Sequence, residues 1–73
     1  MNIAYKENFL TKTIFNLMLL GIEIPDTDHE MFWRIYNDTE LLKDLVNHGQ
    51  TTLAFWWADE CMRFYKDELG LIK

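Results

Sequence analysis

Apolar residues recur at intervals of three and four along almost the whole chain, and only Gly21, Gly49, Gly70 and the single proline, Pro25, interrupt the repeat. That spacing marks helices with one buried face, whereas half-buried strands alternate every second residue. The pattern predicts an all-α fold: a compact bundle of three to four helices, over about 4–20, 28–37, 39–48 and 52–69, with the C-terminal helix central. Each glycine closes a helical segment, where the residue past the helix end takes positive φ. Between Gly21 and Pro25, Ile22 and Ile24 alternate with Glu23 and read as a short extended link.

The helix starts carry their own signals. Thr27-Asp28-His29-Glu30 fits a capping box, with Thr27 as the cap and Glu30 reaching back to its amide. Asp38 or Thr39 can cap the third helix, and Thr51 or Thr52 the fourth. The boundary at Asn37-Asp38 has the weakest signal, and one bent helix across it is the alternative.

At about 100° per residue, Leu10, Ile14, Leu17 and Met18 share one stripe of the first helix, with Phe15 and Leu19 as a second patch. Met31, Phe32, Ile35 and Tyr36 face one way in the second, with Trp33 at the edge. Leu41, Leu42, Leu45 and Val46 face inward in the third. The fourth differs: Leu53, Trp57 and Phe64 form one edge of an apolar arc of roughly 200°, Phe55 and Met62 the other. A surface helix needs a stripe of only about 100°. This helix is therefore expected to have neighbours on two sides, and Ala54, Ala58 and Cys61 would let a second copy approach closely.

With 73 residues the chain is one domain, small enough to bury only about 60% of its unfolded surface. Domains of this size often draw stability from disulfides, metals or oligomers. The lone cysteine, Cys61, removes an intrachain disulfide and points to a reducing, cytoplasmic compartment. The longest apolar run, Leu17–Leu20, is far short of the ~20 residues a membrane span needs. Glu7, Asn8, Lys12 and Asn16 break up any signal-peptide core.

The residues give little support to catalysis or to a cofactor. His29, His48, Cys61, Asp26, Asp28 and Glu30 are the candidate metal ligands, but no pair has zinc-site spacing. Asp26, Asp28 and Glu30 open like a calcium loop, yet Met31 and Asn37 stand where glycine and glutamate are required. They read instead as an acidic turn complementing a helix dipole. Cys61 sits mid-arc, in surroundings that raise a thiol pKa and leave it inert. His48 precedes Gly49 and reads as a helix cap. No glycine-rich phosphate loop occurs. A helix–turn–helix reader would present Glu40, Lys43, Asp44 and Asn47 to DNA, a poor face for a polyanion. The expectation is a non-enzyme without cofactor or metal, with no direct nucleic-acid or membrane binding.

Charge and one tryptophan supply the functional expectation. Residues 23–44 hold seven acids against Arg34 and Lys43, which equals the whole chain's net charge of −5. Such a segment would steer a basic partner. Trp56 falls on the polar side of the last helix, among Asp59, Glu60 and Arg63. Tryptophan is the residue most enriched at binding hot spots; the competing reading folds the chain's own N-terminal segment or its 21–27 loop over it. The expected contact set is Trp56, Asp59, Glu60 and Arg63 with Glu40, Asp44, Asp28 and Glu30. These features predict a small acidic module that occupies the surface of a protein partner, for instance a basic nucleic-acid-binding protein. Small, acidic, aromatic-rich, motif-free chains are frequent among phage-encoded inhibitors of host or defence proteins, anti-CRISPR proteins included. The alternative is a structural or regulatory homo-oligomer, such as a homodimer. A small nucleic-acid-binding regulator comes third, disfavoured by the charge.

Overall fold

The structure is a computed structural model that describes residues 3–73. Three helices form it: α1 (Ile3–Glu23), α2 (His29–Asn47) and α3 (Thr51–Met62), the last running on into a π-helical segment, Arg63–Glu68. Each helix packs on the other two, in a slab with extents of 40 × 23 × 15 Å. The fold is all-α as expected, with three helices.

The expected second and third helices are one. No glycine or proline lies between His29 and Asn47, and both residues offered as caps are engaged elsewhere. The Thr39 hydroxyl donates to the Ile35 carbonyl at 2.7 Å, within the helix. The Asp38 carboxylate accepts from Tyr65 across the bundle. The capping box also shifts by one residue: Asp28, not Thr27, is the N-cap, and its carboxylate accepts from the Met31 amide at 3.2 Å.

Gly49 and Gly70 take positive φ, 73° and 65°, just beyond α2 and the π segment. His48 caps α2 as expected, its Nδ1–H donating to the Asp44 carbonyl at 2.7 Å. Gly21 does not end α1. The helix continues through it to Glu23, so Ile22 and Glu23 are helical and not extended.

The core is a single cluster. Leu10, Leu17 and Leu20 enter from α1, Ile35 and Leu42 from α2, Ala54, Ala58 and Cys61 from α3, and Tyr65 from the π segment. Thr13 and Thr39 are buried with them. The C-terminal helix is not central. Its wide arc is divided between its two neighbours, as in any mutually packed trio: Phe55 meets Phe9 of α1 at 5.1 Å between ring centres, and Phe64 lies under Arg34 of α2 at 4.2 Å. Ala54, Ala58 and Cys61 are covered by this packing, so they offer no seat for a second copy.

Six aromatic or apolar groups expected inside lie outside, Leu53 of α3 among them. Met18 on α1 and Phe32 and Tyr36 on α2 are exposed. The α1 stripe that wins the core runs Leu10, Thr13, Leu17, Leu20, roughly a third of a turn around the helix from Met18. On α2 the winning stripe is Ile35, Thr39, Leu42. Leu41 and Val46, also expected inward, are exposed as well.

Candidate functional site

The core residues of α3 repeat at positions 54, 58, 61 and 65, which turns the opposite side of the helix outward. Trp56, Asp59, Glu60 and Arg63 share that side. Trp56 is 57% exposed, so the 21–27 loop does not cover it. Its ring meets Trp57 at 6.1 Å. Arg63 Nε and Asp59 Oδ2 pair at 3.1 Å along the helix, and Glu60 is exposed. Four of the eight expected contact residues are thus brought together on one face.

The other four belong to α2 and its start, and the structure does not join them to Trp56. Asp28 is used as the α2 cap. Glu40 pairs with Lys43 at 3.2 Å and lies on the groove between α1 and α2. Glu30 and Asp44 are exposed on α2.

A second surface was not found by sequence reasoning. Phe15, Met18 and Ile22 follow one another at i, i+3 and i+7 along α1, and all are exposed, Ile22 at 80%. Across the groove, Phe32, Trp33 and Tyr36 of α2 touch one another, Trp33 edge-on to both neighbours at 5.5 and 5.4 Å. Between the two stripes runs a groove of about 280 Å³, floored by Leu17, Gly21, Ile35 and Thr39. The signal was available as a second apolar stripe on each helix, but periodicity assigned part of it to the core.

Between α2 and α3 lies a polar cluster with a structural role. The Tyr65 hydroxyl donates to Asp38 Oδ2 at 2.6 Å, and the tyrosine is fully buried. Burial and that bond push its pKa upward. Burial, with Asp38 and Glu60 nearby, pushes the Cys61 thiol up to about 12. A thiol so protonated is a poor nucleophile. The Trp57 indole N–H, buried beside them, meets no acceptor among the described residues. Among the described residues no three His, Cys, Asp or Glu side chains converge as a metal site would require, and no helix is long and apolar enough to cross a membrane.

Two surfaces therefore remain as functional candidates: the outer side of α3 and the α1/α2 face. Comparison with protein-family models, with curated proteins and with solved structures finds no match to the chain, so the functional reading rests on these two surfaces.

Proposed function

We propose that this chain is a small acidic, non-enzymatic protein-binding module of the cytoplasm that acts by occupying a partner's surface through the outer side of α3. The observation that carries the reading is Trp56, exposed in the middle of a charged helix face. A tryptophan buried at a contact brings large area and a directional N–H, and it is the side chain most enriched at hot spots. Around it, Asp59, Glu60 and Arg63 form the polar rim that such contacts use to exclude water and set register. The chain's net charge of −5, carried mainly by residues 23–44, attracts a basic partner at long range, and the rim carries the same sign through Glu60. A protein whose own basic surface holds nucleic acid suits that field, and covering such a surface would inhibit it.

The test is affinity capture from host-cell lysate with the wild-type chain and with Trp56→Ala, followed by binding kinetics on each captured protein. The expected result is a protein retained by the wild type and lost with Trp56→Ala, the variant melting as the wild type does. A captured set unchanged by Trp56→Ala overturns the reading. The exposed α1/α2 face favours self-association as a second activity, taken up next.

A further inference from the structure

We infer that the α1/α2 face seats a second copy of this chain, so that the working unit is a two-fold dimer. The face is built from Phe15, Met18 and Ile22 on α1 and Phe32, Trp33 and Tyr36 on α2, all exposed. Aromatic side chains offer about 150–250 Å² each. Its four rings, close to half exposed, present roughly 400 Å² of apolar surface before Met18 and Ile22 are added. A standard interface takes about 800 Å² from each partner, about 65% of it apolar in homodimers, so the requirement is about 500 Å². The face meets it.

The chain's total surface agrees. A compact monomer of 8.8 kDa should expose about 4,800 Å², and this one exposes 5283 Å².

Charge selects a second copy over a basic partner. Two chains of net charge −5 repel each other, and they meet most easily where each is locally neutral. Among the described residues the only charged side chains lining this groove are Glu40 and Lys43, already paired at 3.2 Å. Asp26 and Asp28 stand at its end, beside Ile22 and Phe32. The sparsely charged, aromatic-rich composition is nearer that of a homodimer interface, whereas non-obligate contacts resemble ordinary surface.

Shape permits the symmetric solution. Ile22 stands out beside a groove floored by Gly21, whose nearest packed neighbour is Ile35. A two-fold operation demands a self-complementary patch, with each residue meeting its counterpart's partner. A knob next to a groove satisfies that: each Ile22 enters the other copy's groove. The inference is independent of the Trp56 surface, which faces the other way.

The test is sedimentation velocity on the full chain across about 1–100 µM, the range in which a dimer of micromolar Kd converts. Ile22→Asp, Phe15→Lys and Trp56→Ala are run beside the wild type, each with a far-UV dichroism spectrum to verify folding. The wild type is expected to reach twice the 8.8 kDa of one chain. Ile22→Asp and Phe15→Lys, two exposed positions on the face, are expected to stay monomeric and fully helical, their self-association weakened by at least about 30-fold. Trp56→Ala is expected to dimerise like the wild type. A wild type monomeric throughout overturns the inference. So does a dimer that survives both face variants, or one dissolved by Trp56→Ala.

Discussion

The α1/α2 face and the outer side of α3 both expose tryptophan, yet they are opposite kinds of surface. On α1/α2, Trp33 belongs to a contiguous apolar field whose groove carries a single internally paired Glu–Lys couple. On α3, Trp56 touches Trp57 and follows the half-exposed Leu53, but the rest of its side of the helix is charged: Asp59, Glu60 and Arg63. An exposed aromatic is therefore not a signal with one meaning. Surrounded by apolar neighbours it marks surface that water should leave altogether. Surrounded by charge it marks an anchor in a surface that must also stay soluble alone.

The largest test removes the scaffold that both faces share. Leu17 is fully buried and floors the α1/α2 groove. Leu17→Ala should cost about 2–5 kcal/mol and lower the melting temperature by roughly 10 °C or more, at about 4–8 °C per kcal/mol for a domain this size. Self-association and partner binding should weaken together. Unchanged thermal melting would mean that the two faces do not depend on one core.

The next variant separates them. Trp56→Ala should speed dissociation from the α3 partner about 30-fold, equivalent to about 2 kcal/mol, while melting stays within about 0.5 kcal/mol of wild type. Trp33→Ala should do neither and should weaken only the dimer. Surface plasmon resonance and melting on the same preparations decide it. If Trp33→Ala also shortens residence on the partner, the two faces are one site.

The Asp38–Tyr65 bond fixes α3 against α2, and with it the angle between the faces. Cys61 and Tyr65 both have pKa values raised by folding. The unfolded chain therefore loses these protons first as pH rises, and stability should decline above pH 9.0, the ordinary thiol value. Chemical denaturation at pH 8 and pH 10.5 measures it; equal midpoints would show that neither group is held protonated by the fold. At pH 8, Cys61 should react with thiol reagents slowly when native and fast when unfolded.

The smallest effect expected is electrostatic. Glu60→Lys should slow association with a basic partner a few-fold and flatten its salt dependence, leaving dissociation nearly unchanged. Stopped-flow measurements at two ionic strengths read both. A change confined to dissociation would place Glu60 in direct, desolvated contact.

Much of the fold was legible in the sequence because local chemistry decides it. Period, Gly49, Gly70 and the His48 cap all act within a turn or two of chain, and each is found in place. The outward position of Trp56 followed from the same arithmetic. What escaped was the choice between two stripes on one helix. On α1, Leu10–Leu17–Leu20 and Phe15–Met18–Ile22 are both apolar at helical spacing, and only the partners' geometry chooses which goes inside. Thr13 and Thr39 hid the true core stripes because they are polar by type. Thr39 is at home there only because its hydroxyl is spent on the Ile35 carbonyl. The continuity of α2 was legible only as the alternative to a break at Asn37-Asp38, since the residue that could cap that break, Asp38, is claimed by a tyrosine 27 positions away.

The mutual packing of three helices places the outer side of α3 on the far side of the bundle from the α1/α2 groove. A dimer seated in that groove therefore turns its two Trp56 anchors outward in opposite directions. Two anchors pointing apart do not clasp a single small target, because one rigid patch reaches only one of them. Under the proposed function they would bridge instead: two target molecules, or two repeats of a large assembly, would be tied together by one dimer. Simultaneous engagement on such a repeated target multiplies residence without any new contact. The yield of bridged complexes would then rise and fall with dimer concentration, as excess dimers come to occupy every target singly.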